Sequence, residues 1–154
     1  MPSPLRLTVR RSPTPDSDGL ATLVTLRVPS DVACIEEAVD LVTRHCLAGQ
    51  RAWERSRFRL QVVLSEALSN AVMRGNCEDC GKWVDVRAEL LPDTIRLFVT
   101  DQGPGFDPSA VPEPIRPEQI DEAGGRGLYL IRKLVDAVQF NEQGNSICMI
   151  LRRP

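Results

Sequence analysis

Lysine, histidine and tyrosine are nearly missing from this chain. Its 154 residues include two lysines, Lys82 and Lys133, one histidine and one tyrosine. The positive charge is therefore almost all arginine, a matter of composition rather than mechanism. Basic and acidic residues nearly cancel, at a formal net charge of −2, so no overall basic field recommends a nucleic-acid partner. No apolar run approaches the roughly 18–20 residues of a membrane span. The opening residues, MPSPLRLTVRR, lack the apolar core of a secretion signal, and a cytoplasmic protein is expected. There is no GxxxxGK[ST] phosphate loop, and no GxGxxG follows a first strand.

The cysteines lack a pattern. Cys34, Cys46, Cys77, Cys80 and Cys148 are an odd, scattered set that does not read as a disulfide framework. Cys77 and Cys80 have CxxC spacing, but structural zinc takes four ligands. There is no second CxxC, and the one histidine, His45, is far away in sequence. Free thiols in a loop are the preferred reading, over a redox or metal role.

What is present suggests one domain with a sizeable core: 42% of residues are apolar and 26% charged, the balance of a globular protein. Alternation predicts strands over Leu5 to Arg10, Leu20 to Val28, Trp83 to Leu91 and Thr94 to Thr100, and a closing hairpin over Ala137 to Phe140 and Ser146 to Leu151. Residues 11–19 read as a loop by composition. Ser30 or Asp31 caps a helix reaching about Leu47, with Val32, Ile35, Val39 and Val42 or Cys46 turned inward. A second helix runs from near Ala52 to Gly75 or Asn76. A third starts at about Gly125 to Gly127 and carries Leu128, Leu130, Ile131, Leu134 and Val135. Hairpins mixed with long helices favour an α+β fold, a two-layer α/β sandwich with a mixed, mostly antiparallel sheet and helices on one face.

Three stretches carry chemistry. In Leu64 to Asn76, LSEALSNAVMRGN, the residues Leu64, Ala67, Leu68, Ala71 and Val72 form a core-facing stripe. On the same helix Glu66 and Asn70 stand four apart, one above the other. An acid and an amide there are costly to desolvate unless something pairs with them. Arg74 extends their row by a turn, toward phosphate or merely toward solvent. In the second stretch, Asp101-x-Gly103-x-Gly105 follows a strand. This is either a plain turn or a place where backbone approaches a ligand. In the second case the Asp101 carboxylate, which only accepts hydrogen bonds, favours adenine, with its amino donor, over guanine. In the third, Gly124-Gly125-Arg126-Gly127-Leu128 leads into a helix, either as a flexible start or as an anion site of free N–H groups and helix dipole.

Together these segments resemble the histidine-kinase-like ATPase superfamily, with gyrase, the heat-shock 90 chaperone and MutL, and within it the bacterial anti-sigma factor serine kinases. The resemblance covers nearly the whole chain. It rests on ExxxNA at Glu66 to Ala71, DxGxG at Asp101 to Gly105, and GGxGL at Gly124 to Leu128. It implies a Bergerat-type ATP-binding fold, with residues 1–154 as one domain and 106–123, rich in proline and acid, as a flexible ATP lid. It also implies that Asn70 holds Mg²⁺, Asp101 reads adenine and Glu66 is the catalytic base. The ATP site would be completed by Arg74, Gly103, Gly105, Gly124, Gly125, Arg126, Gly127 and Leu128. Two partner classes follow, a sigma factor and a STAS-type anti-anti-sigma protein phosphorylated on serine, with room for a homodimer. Neither nucleic acid nor membrane is expected as a direct partner. One departure stands out: the family's His-Gly after the NA dipeptide is Arg74-Gly75 here. A non-catalytic ATP-gated binding module and an ATP hydrolase are the rival readings.

Overall fold

The computed structural model describes residues 5–13, 20–48, 51–107 and 125–152. Six strands, β1 (Arg6–Pro13), β2 (Leu20–Pro29), β3 (Trp83–Leu90), β4 (Thr94–Thr100), β5 (Ala137–Phe140) and β6 (Ser146–Arg152), form one sheet in the order β1-β2-β3-β4-β6-β5. The helices are α1 (Ile35–Leu47), α2 (Arg57–Asn70) and α3 (Gly125–Leu134). The fold is α+β, as expected, although every ladder among the described residues is antiparallel. The crossover through α3 brings β5 in along the direction of β4, but β6 lies between them and pairs with both.

The period-2 pattern decides which face is covered. Val84, Val86 and Ala88 on β3 are buried, as are Ile95, Leu97 and Val99 on β4, with exposed or half-buried residues alternating between them. Register places Val86 opposite Leu26 and Val99, and Leu97 opposite Met149, so the apolar side is continuous across four strands. The helices fill that side with Ala38, Val42 and Cys46 from α1, Leu60, Leu64, Ala67 and Leu68 from α2, and Ile131 from α3. Removing this much apolar area from water is the main stabilising term of the fold.

Several boundaries differ from the sequence reading. β1 continues through Arg11, Ser12 and Pro13. Proline is tolerated there because β1 is an edge strand, where a ladder donor can be spared. Asp31 does cap the first helix, its carboxylate accepting from the Ala33 N–H at 2.9 Å. The first turn, Val32–Cys34, is 3₁₀, and that tighter pitch leaves Val32 exposed rather than inward. The second helix is three pieces: a 3₁₀ segment over Arg51–Ser56, then α2, then a π turn over Ala71–Gly75. The lid expected over 106–123 falls outside the described residues from 108 onward. Its first residue, Phe106, is held by an edge-to-face contact with Phe140 (centroids 5.4 Å apart) and an N–H to the Gly144 carbonyl.

Candidate functional site

A cavity of about 290 Å³ opens between α2, α3 and the C-terminal ends of β4 and β5, close to the lower end of small-molecule sites, roughly 300–1,000 Å³. Its walls are mostly apolar, with Ala71, Val99, Leu128, Phe140 and Ile147 among them, and a few polar groups converge on it: Asn70, Arg74, Asp101 and Asn145. An apolar slot with a carboxylate in its wall suits a flat heteroaromatic ring that carries a donor.

The Asp101 segment is fixed peptide by peptide. The Asp101 N–H donates to the Asn145 carbonyl at 3.0 Å, and Asn145 Nδ2 donates to the Asp101 carbonyl at 3.1 Å. The Gln102 N–H donates to Asn76 Oδ1 at 2.8 Å, and the Gly103 N–H to the Asp101 carboxylate at 2.7 Å. Burial pushes the Asp101 carboxyl above its ordinary range, against the opposing pull of the Gly103 N–H and the Lys82 charge. One carboxylate oxygen is thus occupied by its own loop, and the group borders the cavity.

The glycines here are steric necessities. A Cβ on Gly75 would collide with the Asp101 carboxylate, and one on Gly103 with the Gly75 carbonyl. Gly105, at φ +83°, and Gly144, at φ +79°, interlock in the same way: a Cβ on the first would strike the Gln143 carbonyl, and on the second the Phe106 carbonyl. The β5–β6 turn is pressed against the Asp101 loop at this point. Asn141 holds that turn in shape, its Oδ1 accepting from the N–H groups of Gly144, Asn145 and Ser146 at 2.8–3.0 Å.

At the other end, Gly127 in the first turn of α3 rests on the Glu66 and Asn70 side chains. A Cβ there would lie 3.0 Å from Glu66 Oε2 and 3.0 Å from Asn70 Nδ2. The acid–amide pair and the glycine-rich helix start are therefore neighbours, although about 60 residues separate them in sequence. Asn70 offers a neutral amide oxygen, a hard ligand that fits Mg²⁺, an ion that keeps most of its own water and takes few protein ligands. Among the described residues no group of three or more His, Cys, Asp or Glu gathers as a metal cluster. Cys77 and Cys80 are exposed free thiols.

Of the residues singled out from sequence, Asn70, Arg74, Asp101, Gly105 and Leu128 line the cavity. Glu66 and Gly127 touch beside it, and Gly103 is buried behind Asp101. Gly125 opens α3, Arg126 is exposed, and Gly124 lies outside the described residues. Sequence reasoning missed Gly75, Asn76, Asn141 and Asn145. Only Gly75 carried any signal, as the glycine of the Arg74-Gly75 pair.

Among the described residues, a six-stranded antiparallel sheet under three α-helices, with an apolar slot between an Asp-Gly loop and an acid–amide helix, defines a class of nucleotide-binding domain. The chain belongs to the histidine kinase-like ATPase domain family, whose model matches residues 28–151. Within that family it is similar to the serine-protein kinase RsbW of Bacillus subtilis (strain 168), 33% identical over 98 residues, covering 58% of this chain and 61% of that protein. RsbW of Staphylococcus aureus (strain JH9) is likewise 33% identical over 97 residues, with the same coverages. The chain thus spans about three fifths of the length of these curated relatives. Among the described residues, no helix is long and apolar enough to cross a membrane.

Proposed function

We propose that this protein is an ATP-dependent serine kinase of the cytoplasm that also acts by binding. It would sequester a sigma factor and phosphorylate a STAS-type anti-anti-sigma protein on serine, as a single domain with room for a homodimer. The observation that carries this reading is the contact of Gly127 with both Glu66 and Asn70, at the opposite end of the site from Asp101. Adenine in the slot beside Asp101 would direct the phosphates toward the start of α3. There backbone N–H groups and the positive helix end suit anions, and Arg74 adds a fixed charge at the rim. Residues 106–123 would serve as the ATP lid.

Mg²⁺, when bound at Asn70, would neutralise phosphate charge. Phosphoryl transfer needs in-line placement, charge neutralisation and a proton acceptor, with little covalent help from the protein. Glu66 is the acceptor: the partner's serine oxygen bonds to the γ-phosphorus as the bond to the β–γ bridging oxygen breaks, and the serine proton passes to the Glu66 carboxylate. The 33% identity to two serine-protein kinases supports this over water as the nucleophile.

The test is transfer of labelled γ-phosphate to a candidate antagonist, run beside a binding titration. Glu66→Gln should still bind ATP while transfer falls roughly 10²–10⁴-fold, the usual worth of a positioned base. Asn70→Ala should lose Mg²⁺-dependent affinity along with transfer. A wild type that binds antagonists yet phosphorylates none would replace the kinase with an ATP-gated binding module.

A further inference from the structure

We infer that Asn76 is a positioning residue for base recognition, holding the Asp101 loop at the distance and angle that adenine requires. This rests on the reading of Asp101 as the adenine reader. Asn76 is fully buried and sits just past the π turn, where its N–H closes the i→i−5 bond to the Ala71 carbonyl at 2.8 Å. Its side chain is saturated by three separate elements. Nδ2 donates to Ser30 Oγ at 2.7 Å, at the end of β2, and to the Trp83 carbonyl at 2.9 Å, at the start of β3. Oδ1 accepts from the Gln102 N–H at 2.8 Å. Gln102 returns the link, its Oε1 accepting from the Trp83 N–H at 2.9 Å.

Both donors of Asn76 are therefore anchored in rigid sheet, and its acceptor is aimed at the residue after Asp101. The amide is a strut between the sheet ends and the reader loop. The remaining supports of that loop come from the other side, through Asn145. Without the strut the Gln102 N–H loses its partner, and on this side only the Gln102 side chain, on the Trp83 N–H, still ties the loop to the sheet. Asp101 would then swing relative to Gly75, whose Cα it touches. Burial leaves few alternatives: an amide of this length is the one uncharged side chain offering two donors and an acceptor from that position.

A structural role alone would lower stability and weaken every nucleotide alike. A positioning role predicts something narrower. The probes are ATP and purine riboside triphosphate, which lacks only the 6-amino group, each titrated with Mg²⁺. Wild type should prefer ATP by roughly tenfold or more, the worth of a hydrogen bond to a charged group. In Asn76→Ala and Asn76→Ser that preference should collapse toward unity while affinity for the purine analogue stays within about twofold. Asn76→Asp retains an acceptor for Gln102 but loses the donors that anchor the strut, so the preference should fall there too. A core variant with no link to the loop, Val42→Ala, calibrates destabilisation without loss of preference. Retention of the full preference in both Asn76→Ala and Asn76→Ser would overturn the inference. If neither folds, retention of the full preference in Asn76→Asp overturns it, and collapse to the level of Asp101→Asn supports it. A wild type with no preference for ATP over the analogue would instead overturn the reading of Asp101 on which it rests.

Discussion

Asp101 carries a desolvation cost. Burial raises its folded-state pKa above the ordinary carboxylate value, so the folded state holds that proton more tightly than the unfolded chain does. The associated stability is present below the usual carboxylate range and is lost as pH rises through the raised value. At neutral pH the ionised group therefore opposes folding of the ligand-free protein. Asp101→Asn should melt at a higher temperature than wild type at pH 7, and thermal scans should show the difference vanishing as pH falls into the carboxylate range. Asn Oδ1 can still accept from Gly103, so the loop survives. ATP affinity should nonetheless fall by about 1–3 kcal/mol, because an amide can turn a donor toward the adenine amine. Gly75→Ala should produce the second effect without the first. Its Cβ has no room beside the Asp101 carboxylate, and overpacking of this kind costs about 1–3 kcal/mol. Calorimetric ATP binding and melting of the two variants separate the mechanisms.

At the scale of elements, α3 is held at both ends by α2. Its start rests on Glu66 and Asn70. Its end is capped by Arg59, whose Nη1 donates to the Leu134 carbonyl at 3.2 Å and whose Nη2 reaches Ser56 Oγ and the Arg152 carbonyl. Arg59→Ala should cost about 1–3 kcal/mol in urea unfolding, since charged donors to half-buried carbonyls exceed the usual hydrogen bond. The Cys77–Cys80 turn is different: its thiols are exposed and its shape rests on backbone, including the Glu78 N–H to the Val72 carbonyl at 2.8 Å. Replacing both cysteines with serine should leave nucleotide affinity and melting temperature nearly unchanged. Sequence patterning made the elements themselves legible, because period-2 burial on β3 and β4 and the apolar stripe of α2 are direct consequences of a one-sided core. It could not show the π turn. Asn76 closes that turn with its N–H, and its side-chain partners lie 46, 7 and 26 residues away, which leaves no local pattern.

For the molecule as a whole, the motif residues were visible and their scaffolding was not. Glu66, Asn70, Asp101 and the glycines of the Gly124–Gly127 run stand out as polar or flexible residues where packing asks for neither. The asparagines 76, 141 and 145 look like ordinary turn residues until the sheet order brings β6 beside β4 and places the β5–β6 turn against the Asp101 loop. The expected, mostly antiparallel sheet is antiparallel in every ladder among the described residues for the same long-range reason, the placing of β6 between β4 and β5. The central claim is that this assembly forms an adenine-nucleotide site read by Asp101. Isothermal titration of the protein with ATP and with GTP, each with Mg²⁺, tests it most directly. ATP should bind with clear saturation and GTP much more weakly, and Asp101→Asn should lose that difference. Equal affinity for the two nucleotides in the wild type would contradict it.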